Sequence, residues 1–115
     1  MNRKYKNTPT SFAGLRFDSA GEASRYGELL ILERMGEIKD LKRQVTFELA
    51  PAVKFASEAR KKPALRFVAD FTYRDKEGLL VVEDFKSPVT AATDGFRIKR
   101  HLMKSVHAID VLVVM

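Results

Sequence analysis

Polar and apolar positions alternate along Phe67-Val68-Ala69-Asp70-Phe71-Thr72-Tyr73, which is the period of a strand. Leu79 to Val82 is a short apolar run, branched at its end, and suits a largely buried strand. Asp75-Lys76-Glu77-Gly78 between them has turn chemistry, with Gly78 able to take positive φ. Phe67 to Lys86 therefore predicts a β-hairpin. A three-residue loop, Lys76-Glu77-Gly78, is a common hairpin connection. It pairs Asp75 with Leu79 and so sets Asp70 opposite Asp84. Directly opposed residues share a face with Cβ atoms roughly 5 Å apart. Lys86 lies two residues beyond Asp84 and shares that face.

The rest of the chain supplies the other elements. Ser19-x-x-Glu22 has the form of a capping box before an apolar periodic segment. It predicts a helix from Ala20 to Met35, stopped by Gly36. Ala23, Tyr26, Leu30 and Ile31 mark its inner side, and Arg25, Glu28 and Glu33 its outer side. Gln44 to Leu49 alternates strictly and predicts a strand ended by Pro51. Thr90 to Thr93 offers N-caps for a helix over Asp94–Val106, whose apolar side is Phe96, Leu102, Met103 and Val106. Ile109 to Val114 is apolar and β-branched, which predicts a last buried strand. The order is α-β-β-β-α-β, an α/β fold with a mixed four-stranded sheet flanked by helices.

Composition narrows the possibilities. The chain has 115 residues, enough for one domain. Residues 1–14 read as a flexible basic arm and 15–115 as that single domain. A 45% hydrophobic content argues against disorder. The formal net charge of +6 favours a polyanionic partner, of which nucleic acid is the commonest. There are no cysteines, which excludes disulfides and thiolate chemistry. No apolar stretch is long enough to span a bilayer, and the N-terminus has no apolar signal core. A cytoplasmic protein is expected, with no membrane partner.

Two aspartates on one patch of sheet repel each other, and one should resist ionisation. A hard divalent cation such as Mg²⁺ or Mn²⁺ removes the conflict. It can polarise a phosphate and acidify a bound water, while Lys86 orients that water or offsets charge on the phosphate. The competing reading is an exposed carboxylate pair with Lys86 as an ordinary neighbour. The Asp/Glu-x-Lys pattern occurs three times, at Glu37, Asp40 and Asp84. Only the third follows an apolar strand paired to another carrying its own aspartate. Glu22 has two readings at this level: a helix cap, or a third carboxylate reaching the pair. The cations Arg60, Lys61 and Lys62 stand before the hairpin, and Arg97, Lys99 and Arg100 stand on the second helix. Either group could hold a phosphate backbone or form a solvated face. There is no glycine-rich phosphate loop.

The arrangement resembles the PD-(D/E)XK nuclease superfamily. Its core is αβββαβ, with an aspartate on the second strand and Asp/Glu-x-Lys on the third. The matching residues are Asp70, Asp84-Phe85-Lys86 and Glu22. A closer likeness is to a phage-encoded family of unknown function within that superfamily. It is carried by FDSAGEASRYGELLILERMGEIKDLKRQVTFEL, FVADFTY, VVEDFK and FRIKRHLM. The resemblance implies that Glu22, Asp70, Asp84 and the Phe85 carbonyl bind metal and that Glu22, Asp70, Asp84 and Lys86 are catalytic. Arg25, Gln44, Arg60, Lys61, Lys62, Arg97, Lys99 and Arg100 are then candidates for DNA or ligand contact. Ala69 stands where the superfamily's name has proline, and Ser87-Pro88 follows Lys86 where the closer family has glycine. Small Holliday junction resolvases share this core and are dimers. The likeness therefore implies a homodimeric, metal-dependent endonuclease for branched DNA. A restriction-like or nicking nuclease with the same site, and a non-catalytic DNA-binding module, are the alternatives.

Overall fold

The computed structural model describes residues 10–115. The first element is a hairpin that the sequence pattern did not predict: β1 (Thr10–Phe12) antiparallel to β2 (Leu15–Phe17). Ala13 and Gly14 both take positive φ, 51° and 76°, which is the two-residue turn that matches strand twist. Of the arm expected over 1–14, residues 1–9 lie outside the described residues. Thr10 to Gly14 form the first strand and turn of this hairpin. Phe12 and Phe17 both pack against Tyr26 of the helix that follows, with centroid distances of 6.4 and 5.4 Å.

Helix α1 (Ala20–Arg34) starts where Ser19 Oγ accepts the Glu22 amide at 3.1 Å. It ends before Gly36, whose φ is 78°. Its inner stripe is shifted from the expected one. Leu29 is fully buried while Ile31 is 57% exposed. The run Leu29-Leu30-Ile31 is apolar throughout, so composition alone could not choose the stripe. Ala23, Tyr26 and Leu29, three residues apart, make the contact with the sheet side.

The sheet order is β3-β4-β5-β6. Strand β3 (Lys39–Ala50) begins five residues earlier than the alternation suggested. It pairs antiparallel with β4 (Leu65–Arg74), which pairs antiparallel with β5 (Leu80–Phe85). The β4–β5 register is the expected one. Arg74 lies opposite Leu80, the Asp75 amide donates to the Leu79 carbonyl at 3.0 Å, and Gly78 takes φ 81°. After β5, Ser87 caps a four-residue helix α2 (Pro88–Ala91) that the sequence reading did not contain. Thr93 caps α3 (Asp94–His107), and Ala108 at φ 57° closes it. Strand β6 (Leu112–Val114) then lies parallel to β5. The αβββαβ core stands as expected, with a mixed four-stranded sheet and flanking helices.

Two apolar clusters hold these layers together. Phe67, Ala69 and Val82 pack with Phe96, Met103 and Val111 on the α3 side. Phe71 and Tyr73 pack with Phe17, Ala23 and Leu29 on the α1 side. The change from one cluster to the other falls on β4 between Ala69 and Phe71, at Asp70. Among the described residues no helix is long and apolar enough to cross a membrane.

The buried stripe of α1 is testable. Leu29→Ala should cost about 2–5 kcal/mol, the range for emptying a packed site. Ile31→Ala should stay within about 0.5 kcal/mol. Urea denaturation of the two variants checks this, and equal losses would contradict the packing.

Candidate active site

The β4–β5 ladder runs as far as Phe71 opposite Glu83. The next pair in this register is Asp70 opposite Asp84. There the carboxylates replace the backbone ladder. The Asp70 amide donates to Asp84 Oδ1 at 3.2 Å, and the Phe85 amide donates to Asp70 Oδ2 at 2.8 Å. Each aspartate thus takes an amide of the facing strand, which turns both side chains into the same gap. Lys86 Nζ lies 3.0 Å from Asp84 Oδ2 and 5.1 Å from the Phe96 ring centre. The three residues that the hairpin register brought together do converge.

Asp84 is 2% exposed. Its Oδ2 is close to Lys86, yet the approach lacks hydrogen-bond geometry and the oxygen has no hydrogen-bond partner. The contact is an ion pair. Burial pushes the Asp70 carboxyl up to about 8, and the Asp84 and Glu22 carboxylates push in the same direction. Glu22 is also raised, first by burial and then by Asp18. Asp70 and Glu22 thus feel burial and the neighbouring carboxylates together.

Glu22 enters from the first turn of α1 and is buried. The cap is made by Ser19 Oγ, while the Glu22 carboxylate accepts from Gln44 Nε2 at 3.3 Å. Gln44 lies inside β3 rather than at its start, and its φ is 53°. A non-glycine residue in this region is strained, and such strain gathers at functional positions. Gly21 makes room for Phe85: a Cβ there would run into the Phe85 ring. Glu22, Asp70, Phe85 and Lys86 line one cleft of about 360 Å³, with Asp18, Ser19, Ser87 and Thr90 on its walls. A larger groove, about 640 Å³, runs along α3 and carries none of the carboxylates above. Chemistry, not size, selects the smaller one.

Among the described residues no three His, Cys, Asp or Glu side chains are gathered closely enough to hold a metal as they stand. Phe85 N–H, Asp70 N–H and Gln44 Nε2 each occupy a carboxylate oxygen. The residue types still fit a hard cation, because all are oxygen donors.

Arg25 is a correction. It was expected on the outer side of α1, available to DNA. Instead its Nε and Nη2 grip Glu83 at 2.8 and 2.7 Å, and Nη1 takes Glu28 at 2.8 Å. Glu83 is fully buried and also accepts from the Tyr73 hydroxyl. The Glu83 hydrogen bond raises the guanidinium above its ordinary range, and burial raises the Tyr73 phenol. The missed signal was Glu83 itself, since a carboxylate inside an apolar strand requires a partner. Arg97 is paired with Asp94 at 3.4 Å, and Lys62 with Glu58 at 2.9 Å. Arg60, Lys61, Lys99 and Arg100 are exposed. None of these six cations lines the carboxylate cleft.

Fold and site together define a small α/β protein with a carboxylate–lysine cluster in a gap of its sheet. The chain belongs to the family described as "Protein of unknown function (DUF1064)", whose model matches residues 2–111. No curated protein and no solved structure matches it.

Two outcomes follow from the electrostatics. Folded Asp70 keeps its proton up to about pH 8, against 3.8 ordinarily. Between these values the folded chain binds more protons than the unfolded one, so stability falls as pH rises. The loss is at most about 1.4 kcal/mol per pH unit. Asp70→Asn cannot ionise and should show a flatter profile in urea unfolding between pH 5 and 8.5; parallel profiles would contradict the shift. Arg25→Met leaves the Glu83 charge buried with only the Tyr73 hydroxyl as donor, which should cost about 3–5 kcal/mol. The double variant Arg25→Met/Glu83→Met should recover much of that loss, as a double-mutant cycle would reveal.

Proposed function

We propose that this chain is a Mg²⁺- or Mn²⁺-dependent DNA endonuclease that hydrolyses phosphodiester bonds, acting on branched DNA of the Holliday-junction kind. The observation that carries the reading is the meeting of Asp70, Asp84 and Lys86 where the β4–β5 ladder opens, with Glu22 beside them. The donor chemistry supports a hard cation. Asp84 Oδ2 is buried without a hydrogen bond, and the Asp84 and Glu22 charges that add to burial in raising Asp70 are of the kind a cation offsets. Glu22, Asp70 and Asp84 would hold it, with the Phe85 carbonyl as a further oxygen. When bound, it would polarise the phosphate and lower the pKa of water.

The chain's own groups have definite tasks in this reading. Lys86 donates to the attacking water or to a phosphate oxygen, with Asp84 keeping its ammonium in the cleft. The water oxygen forms a bond to phosphorus as the ester P–O bond breaks, and the leaving oxygen gains a proton. Gln44 orients Glu22 rather than touching DNA, on the strength of its bond to Oε1. Arg60, Lys61, Lys62, Arg97, Lys99 and Arg100 hold phosphates outside the cleft. A chain of this size has little surface for reading sequence, so DNA shape would select the substrate. Cutting two strands would require a homodimer.

A second reading is favoured by one observation: the carboxylates are already engaged by Phe85, Asp70 and Gln44 donors. In that reading the fold is a basic DNA-binding module without catalysis. Mn²⁺ titration followed by paramagnetic broadening near Asp70 separates the two, because only the nuclease needs an ion there.

The decisive experiment incubates supercoiled, linear and four-way-junction DNA with the protein in Mg²⁺ or in EDTA. Cutting should need the metal and prefer the junction. Asp84→Asn and Lys86→Ala should each slow it by about 10²-fold or more. Variants that cut as fast as the parent would overturn the proposal. Equal cutting of junction and duplex would replace the junction substrate with a restriction-like or nicking activity.

A further inference from the structure

Beyond Ala50 and Leu65 the β3–β4 ribbon continues as a basic arm. Val53 and Lys62 exchange both backbone hydrogen bonds, at 3.1 and 2.6 Å, and the Glu58 amide bonds the Phe55 carbonyl at 3.1 Å to close a turn. Residues 51–64 carry Lys54, Arg60, Lys61 and Lys62 against the single carboxylate Glu58. Half of the chain's formal net charge of +6 therefore sits on this one loop. Phe55 is 53% exposed at its turn, and Val53 two residues before it is 45% exposed. Among the described residues Phe55 has no ring or cation–π partner. A loop of this length with order of its own is commonly functional. An uncovered aromatic ring among four cations matches nucleic acid, which offers phosphates to the charges and a base face to the ring.

We infer that residues 51–64 form a DNA-gripping arm in which the cations lie on phosphates and Phe55 stacks on a base. The inference rests on the DNA reading above but not on catalysis. The arm is separate from the carboxylate cleft, whose lining includes none of its residues. Stacking gives the arm a preference for DNA whose bases are already unstacked, as at a branch point, because an intact step must first be opened.

The chain has no tryptophan, so Phe55→Trp places a single fluorescent reporter at the tip. Labelled duplex and four-way-junction DNA are titrated in EDTA, with anisotropy reporting binding. Emission of Phe55→Trp should be quenched in step with binding, and more strongly by the junction. Phe12→Trp, at an exposed ring on β1, should stay unquenched. Poly-glutamate should leave the Phe55→Trp emission unchanged. Phe55→Ala should weaken DNA binding by about tenfold, with an unchanged melting temperature. Binding that saturates without quenching, quenching by poly-glutamate, Phe55→Ala binding like the parent, or no DNA binding at all would each overturn the arm. Quenching by DNA in a protein that never cuts would reject the nuclease and leave the arm standing.

Discussion

Two carboxylates held side by side inside a sheet are the constraint around which this molecule is arranged. An antiparallel ladder ordinarily pairs amide with carbonyl. Here that pattern stops at Phe71 and Glu83, and beyond it Asp70 and Asp84 each accept an amide of the opposite strand. The exchange satisfies buried donors, yet it also holds two carboxyl groups side by side out of water. Repulsion and burial together keep the proton on Asp70 near neutral pH. A single ammonium, from Lys86, stands against Asp84.

The third carboxylate is tied to the pair by the same residues that join helix to sheet. Glu22 on α1 is flanked by Gly21, which admits the Phe85 ring, and by Arg25, which grips Glu83. Phe85 and Glu83 in turn flank Asp84 on β5. Both contacts bracket the carboxylates of the candidate site, so α1 cannot slide along the sheet without breaking a bidentate ion pair or compressing a ring. Tyr73 adds a tie from β4 to the same buried Glu83. Burying Glu83 is costly, and breaking its pair more so. Its position beside Asp84 gives that cost a purpose: the relative placement of Glu22 and Asp84 is set by neighbours rather than by a loop.

The sequence disclosed the carboxylate pair because parity does not depend on the rest of the fold. Once the Lys76-Glu77-Gly78 loop fixed Asp75 opposite Leu79, Asp70 had to face Asp84, and Lys86 had to follow. Other features depend on three-dimensional context and were hidden. Leu29, Leu30 and Ile31 are equally apolar, so the stripe of α1 is decided by what packs on it. Arg25 looks like any surface cation until β5 brings Glu83 beneath it. The left-handed backbone of Gln44 has no signature in a strictly alternating run, and the β1 and β2 strands, three residues each, are too short to show a period.

Charge distribution gives the last constraint. A phosphate approaching Glu22, Asp70 and Asp84 meets a negative field, softened by Lys86 and by the proton on Asp70. None of the six candidate DNA-binding cations on the arm and α3 lines that cleft. On the proposed reading, affinity for DNA must therefore be generated elsewhere. Leu65, where the arm begins, is five residues from Asp70 along β4, about 17 Å at strand spacing. That corresponds to about five base pairs of duplex. Remote cations would then bring the backbone to the cleft against local repulsion, and binding energy from those contacts would be spent on positioning the scissile phosphate. Removing cations from the arm should consequently weaken association without altering the carboxylate geometry, which is held by backbone amides within the sheet.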